Sequence, residues 1–284
     1  MKVNKIDVAI CTKDRHFEVS KLLNQIRLQT FLKKGSMEVY ILDDASNQPI
    51  DQSFSVNVIA DQLRIEGIYV HFYRNNISKG ISSARQDLNE FILKDGDGDV
   101  IARIDDDTLP HLDYFERLVN VIEQGYDLSS GMTPNLGYPL IERANKFVKP
   151  FINDVELDAT GNIIKFGDDC GYSTEEAEVI PACHLRSSFM YTKDVAKNVK
   201  YVHGLSQVGF REESFFCLKA ILKGYKMAVD TGAIILHERS PMGGCRAPNY
   251  SQLVQIDDEI FRGWVKEMCV QFGDFIKKYK EQFK

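Results

Sequence analysis

The sequence predicts an α/β fold in which helices flank a mostly parallel central sheet. Two observations predict this fold: short apolar runs alternate with amphipathic segments, and the composition is that of an ordinary globular protein. The 284 residues are 44% hydrophobic and 27% charged, so the chain can bury a large core. Strands that alternate with helices favour parallel pairing, because each crossover helix covers one face of the sheet.

The spacing of apolar residues predicts the elements of the first half of the chain. Continuous apolar runs predict buried strands, and apolar residues three and four positions apart predict helices with one buried face. The predicted strands are 6–11, 39–42, 68–73 and 100–104, and the predicted helices are 16–30, 82–94 and 112–124.

The second half begins with a less regular stretch, 131–181, which contains the turn signal DATGN at 158–162. After it, the pattern predicts a strand over 189–192, a helix over 212–224, and one or two strands within 227–236. A glycine-rich segment, 240–250, then leads into a helical extension. Its predicted apolar stripe consists of Leu253, Ile256, Ile260, Trp264 and Met268.

The charge balance argues against general nucleic-acid binding. The chain has 35 Lys and Arg against 41 Asp and Glu, a net charge of -6, whereas phosphate affinity requires clustered cations. No apolar run approaches the roughly 20 residues of a membrane span, and the start has no apolar signal block. We therefore expect a cytoplasmic protein. The basic end, 277–284, could contact the inner face of an anionic membrane, but a packed helix with a solvated face is the favoured interpretation.

Polar residues follow three of the predicted strands. They are Thr12-Lys13-Asp14, Asp43-Asp44 and Asp105-Asp106-Asp107. Ligands of open α/β sheets bind beyond the carboxyl ends of the strands. We therefore expect these three clusters to converge on one crevice.

The run of three aspartates predicts a metal site. Adjacent carboxylates repel one another unless a cation neutralises them. In extended backbone, Asp105 and Asp107 point to one side and Asp106 to the other. Two carboxylates on one side suit Mg²⁺ or Mn²⁺, which prefer oxygen ligands and bridge to diphosphates. The alternative is an acidic cap for the following helix, but the position at a strand end favours a metal.

Other polar residues have two readings when each is taken alone. Asp43 and Asp44 could bind a ligand or cap a turn. His237 stands at a predicted strand end, where a lone histidine is more often structural. Glu212 and Glu213 open a helix, a position that the helix dipole favours for acidic residues in any case.

The ordered set of motifs resembles the inverting, family-two type nucleotide-sugar glycosyltransferases of the GT-A fold. The resemblance covers about residues 5 to 240. The matching segments are VAICTKDRH, Gln29-Thr30-Phe31, Asp43-Asp44-Ala45-Ser46, NNISKGISSARQ, Asp105 with Asp107, Glu212-Glu213 with Lys219 and Gly224-Tyr225, and His237.

The resemblance implies a role for each matching residue. Glu213 corresponds to the catalytic base, where the family often has Asp, and Glu212 stands beside it. The residues implied to contact the nucleotide sugar are Thr12, Asp14, Asp44, Arg85, Asp105 and Asp106, and those implied to hold the metal are Asp105, Asp107 and His237. Arg246 lies in the glycine-rich segment, which could close over the diphosphate as a lid or serve as a plain linker.

The resemblance implies a metal-dependent enzyme that uses Mn²⁺ or Mg²⁺. It would transfer a sugar from a nucleoside-diphosphate sugar, with UDP the expected nucleotide, to a glycan, a lipid-linked molecule or another hydroxyl acceptor. The expected domain spans 1–240, with a nucleotide-binding half (1–107) and an acceptor half (108–240), and 241–284 form a lid segment and helices.

Two alternatives to this function stay open. The first is a sugar-phosphate nucleotidyltransferase, although the loop after the first strand has no glycine to cradle a triphosphate. The second is a non-catalytic sugar-nucleotide-binding protein. An oligomer is also open, since the apolar stripe of the last helix could be a dimer face.

Overall fold

The computed structural model describes residues 1–134, 156–157, 163–165, 177–182, 184–268 and 274. Its strands are β1 (Lys5–Thr12), β2 (Ser36–Asp43), β3 (Tyr69–Arg74), β4 (Val100–Asp105), β5 (Thr108–Pro110), β6 (Leu128–Met132), β7 (Glu156–Leu157), β8 (Ile163–Lys165), β9 (Val179–Ala182), β10 (Phe189–Thr192) and β11 (Met227–His237). Its helices are α1 (His16–Ile26), α2 (Phe54–Ile65), α3 (Ile81–Asp95), α4 (Tyr114–Glu123), α5 (Lys193–Asn198), α6 (Glu212–Leu222) and α7 (Tyr250–Glu267).

The central sheet has the strand order β3-β2-β1-β4-β10-β6-β11-β5, and β9 also pairs with β11. Strands β1 to β4 pair only in parallel with one another. Strand β10 is antiparallel to both β4 and β6, and β11 is parallel to β6 but antiparallel to β5 and β9. The predicted α/β fold is confirmed, but the sheet is mixed, because its second half includes antiparallel pairs, which need no crossover helix.

Two hydrophobic cores lie on the two faces of the sheet. In β1, Ala9 and Cys11 belong to one core, whereas Val8 and Ile10 belong to the other. This division follows from the alternation of side chains along a strand. Helices α3, α6 and α7 contribute buried residues to the first core, and α1, α2 and α4 contribute to the second. Burial of both faces explains why the parallel strands have continuous apolar runs.

The last helix, α7, buries a different face from the predicted one. Phe261 and Val265 are buried and Trp264 packs partly against the same core, while Ile256 and Ile260 are 42% and 39% exposed. The buried face also includes Asp257, a charged residue that an apolar stripe cannot reveal. The predicted stripe is therefore wrong in its register on the helix, and the packed side lies one residue further along the chain.

The predicted turn at 158–162 and the basic end at 277–284 lie outside the described residues. The turn would fall between β7 and β8, which pair in antiparallel orientation. Within the described part of the chain, every helix is too short or too polar to cross a bilayer.

Candidate active site

A cavity of about 650 Å³ lies beyond the carboxyl ends of β1, β2 and β4. Polar residues that follow these three strands meet at this cavity, as their positions at the strand ends predicted. All eleven predicted site residues line this one cavity: Thr12, Asp14, Asp44, Arg85, Asp105, Asp106, Asp107, Glu212, Glu213, His237 and Arg246.

Asp14 joins the loops that follow β1 and β2. Its backbone N–H donates to the Ser46 hydroxyl at 2.8 Å, and its carboxylate accepts from the backbone N–H of Asn47 at 2.7 Å. Asp14 has a φ of 53°, a left-handed conformation that Asp adopts more readily than bulkier residues. These contacts hold the two loops together at the rim of the cavity.

Asp44 anchors the loop that precedes α3. Its buried carboxylate accepts hydrogen bonds from the Asn75 amide at 2.9 Å and the Ser78 hydroxyl at 2.7 Å. The backbone N–H groups of Lys79 and Gly80 donate to it at 2.9 and 3.1 Å. Both carboxylate oxygens therefore bind protein groups, and contact of Asp44 with a nucleotide base stays a prediction.

Asp105, Asp107 and His237 form a group of side chains that could hold a metal ion. One ligand atom from each lies within 4.8 Å of the other two. Pairing of β11 with β5 places His237 opposite Thr108, beside the aspartates. Two carboxylates and one imidazole are a donor set suited to Mn²⁺, and the carboxylates also suit Mg²⁺. The described geometry thus fits the divalent cation that the sequence implied.

Arg15 binds the acidic cluster formed by Asp105, Asp106 and Asp107. The sequence reasoning missed this contact. Its Nη1 lies 2.6 Å from Asp106 Oδ1 and 3.1 Å from Asp107 Oδ2. The Thr12 hydroxyl donates to the other oxygen of Asp106 at 2.8 Å. Arg15 is nearly buried, and its place within the VAICTKDRH segment was the signal that could have found it.

Burial and the contacts with Arg15, Thr12 and His237 shift the pKa values of the cluster in opposite directions. Burial raises the pKa of Asp106 to about 6, although Arg15 and Thr12 act against it. Burial also acts to raise the pKa of Asp107, but His237 and Arg15 outweigh it and hold that pKa below its usual value. For His237, burial acts to lower the pKa, but hydrogen bonding to Asp107 raises it overall. Arg15 and His237 therefore favour the ionised form of Asp107.

Glu212 lies at the centre of a buried ion-pair network. Arg103 Nη2 and Nη1 donate to its two oxygens at 2.6 and 3.0 Å. Arg85 also contacts Glu212 and reaches Asp105 Oδ1 at 2.5 Å. Sequence reasoning did not identify Arg103, whose signal was a charged residue inside the apolar strand β4. The network joins β4, α3 and the start of α6.

Glu213, the next residue, is partly exposed and lines the cavity. Within the described part of the chain, no side chain or backbone group forms a hydrogen bond or ion pair with its carboxylate. Arg211, with a φ of 71°, makes the turn that starts α6 immediately before the two glutamates. A cavity-facing carboxylate with free lone pairs can accept a proton from a bound hydroxyl.

The glycine-rich segment runs across the acidic cluster. The backbone N–H of Ser240 donates to Asp107 Oδ2 at 3.1 Å. Arg15 Nε donates to the carbonyl of Met242 at 3.0 Å, and Arg246 Nε donates to the carbonyl of Ser240 at 2.7 Å. The segment thus forms one wall of the cavity, and hydrogen bonds to Asp107 and Arg15 hold it there.

Comparison with known proteins assigns a family to this site. The model of "Glycosyl transferase family 2" matches residues 7–171, more than half of the chain. The chain belongs to glycosyl transferase family 2. The resemblance inferred from the motifs is therefore confirmed. No curated protein matches it by sequence.

Solved structures similar to this chain share its fold. A crystal structure of S. aureus TarS 1–349 has a TM-score of 0.56 and 14% identity, and covers 82% of this chain and 60% of TarS 1–349. The complex of TarS 1–349 with UDP-GlcNAc has a TM-score of 0.59 and 13% identity over 89% and 65% of the two chains. The complex with UDP has a TM-score of 0.56 and 15% identity over the same shares. This chain thus spans less than two thirds of TarS 1–349.

The family match ends before several of the site residues of this chain. It covers the acidic cluster on β4, but Glu212, Glu213 and His237 lie beyond residue 171. Their assignment therefore depends on the geometry of the cavity and on the motif spacing.

Proposed function

We propose that this glycosyltransferase transfers a sugar from a nucleoside-diphosphate sugar, with UDP as the nucleotide, to a hydroxyl acceptor with inversion. The observation that carries the proposal is one cavity that holds both the Asp105, Asp107 and His237 group and the available carboxylate of Glu213. TarS 1–349, which has the same fold, has been crystallised with UDP-GlcNAc and with UDP. Family membership favours this reaction over nucleotidyl transfer or binding without turnover.

Asp105, Asp107 and His237 would hold Mn²⁺ or Mg²⁺. A divalent cation bound there would act as a Lewis acid that stabilises negative charge on the leaving diphosphate. Thr12, Asp14, Asp44, Arg85 and Asp106 line the same cavity and would contact the nucleotide sugar.

Glu213 is the proposed general base. It would accept the proton of the acceptor hydroxyl as that oxygen forms a bond to the anomeric carbon. The bond between the anomeric carbon and the diphosphate oxygen breaks at the same time, and attack from the opposite side inverts the configuration. Glu212 is less suited to this role because both of its oxygens accept hydrogen bonds from Arg103. We assign Glu212 to the positioning of Arg85.

The segment 240–246 would exclude water from the reacting diphosphate. Its contacts with Arg15 and Asp107 place it beside the proposed metal site. Arg246 lines the cavity from this segment and would add positive charge near the phosphates. Closed sites of this kind strengthen electrostatic interactions and limit hydrolysis of the donor.

A thermal-shift screen tests the proposal. UDP, GDP, CDP, ADP and TDP are each added with Mn²⁺, with Mg²⁺ and with EDTA. A ligand that binds only the native state raises the unfolding midpoint by mass action. We expect UDP to raise it with Mn²⁺ or Mg²⁺ but not with EDTA, and to be released from a UDP-sugar on turnover. No shift with any of the five nucleotides would refute the proposal.

A further inference from the structure

Asp257 on α7 is a fully buried carboxylate. It accepts hydrogen bonds from the backbone N–H and the hydroxyl of Ser206 at 2.6 and 2.8 Å, and from the backbone N–H of Phe210 at 2.8 Å. Burial of a charge is costly unless hydrogen bonds compensate it. These three bonds are the compensation, and they fasten α7 to the loop 205–211.

The loop 205–211 forms a wall of the cavity and leads directly into the proposed base. The cavity-lining residues from this loop are Gln207, Val208, Gly209, Phe210 and Arg211. Arg211 at its end donates through Nε to Asp258 Oδ1 at 2.9 Å. Two consecutive acidic residues of α7 therefore hold the loop just before Glu212 and Glu213.

The opposite side of the loop packs against the start of α3. The backbone N–H of Ile81 donates to the carbonyl of Gln207 at 3.4 Å. A Cβ atom added to Gly80 would lie 2.8 Å from the Cα of Gln207, so the two backbones are in close contact. Gly80 in turn donates to Asp44. The loop is thus held between the start of α3 on one side and α7 on the other.

We propose that Asp257 is a positioning residue for Glu213. It fixes the loop before α6 and thereby the direction in which the Glu213 carboxylate faces the acceptor. The inference rests on the proposed function, in which Glu213 is the base. Misplacement of a catalytic group by about 1 Å can reduce the rate about 100-fold, so a residue that never touches substrate can control turnover. The C-terminal helix then belongs to the catalytic unit, although it lies outside the family match.

Asp257→Asn tests this role because it keeps the size of the side chain and replaces one acceptor oxygen with a donor. UDP release is measured with UDP-GlcNAc, UDP-glucose and UDP-galactose in the presence of Mn²⁺ and of a broad panel of hydroxyl acceptors. We expect kcat to fall about 10- to 100-fold, with KM and the affinity for UDP changed less than about twofold. Backbone amides of 205–211 should exchange hydrogen faster. Glu259→Gln, an exposed charge change on the same helix, should leave all of these unchanged.

The proposal is overturned if folded Asp257→Asn keeps the wild-type kcat, or loses UDP affinity as strongly as it loses kcat. If Asp257→Asn does not fold, Ser206→Ala decides, because it leaves the carboxylate in place and deletes only the bonds of the hydroxyl, one to Asp257 and one from the backbone N–H of Val208. A lower kcat and faster exchange of 205–211 in Ser206→Ala support the role, and unchanged values overturn it. Absence of UDP release by the wild type contradicts the proposed function instead, which separates the two failures.

Discussion

Glu212 and Glu213 are adjacent in the chain, yet their carboxylates lie in opposite environments. Both residues line the cavity, but Glu212 is 3% exposed and its two oxygens bind Arg103, whereas Glu213 is partly exposed. Successive residues of a helix point about 100° apart, so the start of α6 gives the two carboxylates different neighbours. One glutamate thus organises positive charge while the other is available for proton transfer.

Glu213→Gln should reduce kcat about 10²- to 10⁴-fold, the usual contribution of a general base. Binding of UDP with Mn²⁺ should be unchanged, because the side chain lies on the acceptor side of the proposed reaction. Steady-state UDP release and calorimetric titration with UDP measure the two quantities. Glu259→Gln should retain full turnover, and a Glu213→Gln protein that does the same would rule out Glu213 as the base.

Asp107→Asn should remove the metal-dependent part of the stabilisation by UDP. For the wild type, UDP at 100 times its Kd should add about 2.7 kcal/mol to the free energy of unfolding. The substitution replaces a carboxylate ligand with a neutral amide and weakens the contact with His237. Thermal shift with Mn²⁺ and with EDTA measures the difference. Asp61→Asn, an exposed change on α2, serves as the control and should behave as the wild type does.

Glu212→Gln should lower the free energy of unfolding by about 3–5 kcal/mol, because it leaves buried guanidinium charge without its partner. Arg103 and Glu212 are each less than 5% exposed at the side chain. Urea denaturation monitored by circular dichroism measures the change. The exposed pair of Asp61 and Arg64 provides the comparison, and Asp61→Asn should have little effect. Equal effects of the two substitutions would show that the buried network does not stabilise the fold.

The stability contributed by Glu38 should disappear at acid pH. Burial alone would raise the pKa of Glu38, but hydrogen bonds from Lys5, His71 and Tyr40 outweigh it and hold the pKa below 4.5. The stabilisation is therefore complete above that value and is lost as the pH falls through the lower folded-state pKa. The difference in unfolding free energy between wild type and Glu38→Gln should shrink between pH 6 and pH 3 (about 1.4 kcal/mol per unit of pKa shift). A difference that stays constant with pH for Glu38→Gln would contradict the assignment.

Two glycine substitutions should change stability in opposite directions. Gly244 has a φ of 63°, and a Cβ there would lie 2.7 Å from the guanidinium carbon of Arg15. Gly244→Ala should therefore destabilise the protein by at least about 1 kcal/mol and reduce the stabilisation by UDP. Gly263 lies within α7 with open space around it, so Gly263→Ala should stabilise by about 0.5–1 kcal/mol. Thermal denaturation of both variants checks the signs, and destabilisation by Gly263→Ala would contradict the described packing of α7.

The strands and helices with a strong local pattern of apolar residues could be predicted from the sequence. The predicted strand over 189–192 coincides with β10, and the predicted helix at 82–94 is one residue short at each end of α3. In contrast, α2 had no clear signal, because Val56 and Leu63 are buried while Phe54, Val58 and Ile65 are exposed. Its apolar residues therefore do not lie on one face. The helix predicted for residues 16–30 ends at Ile26. The backbone N–H of Thr30 donates to the carbonyl of Leu112 and not to a carbonyl of the helix.

By itself, the sequence determined that polar side chains would meet at the carboxyl ends of the strands. That result needs only the alternation of side chains along β1, β2 and β4 and the common direction of parallel strands. Both can be inferred from the order of short sequence patterns. The polar residues at these three strand ends were therefore identifiable before any coordinates.

Tertiary structure alone decided which charges pair. Arg15, Arg103 and Asp257 are separated from their partners by 91, 109 and 51 positions, and no periodicity encodes such distances. A buried charge is stable only where a specific partner compensates it, so the choice of partner depends on how whole elements pack. That packing separates Glu212 from Glu213 and makes α7 part of the site.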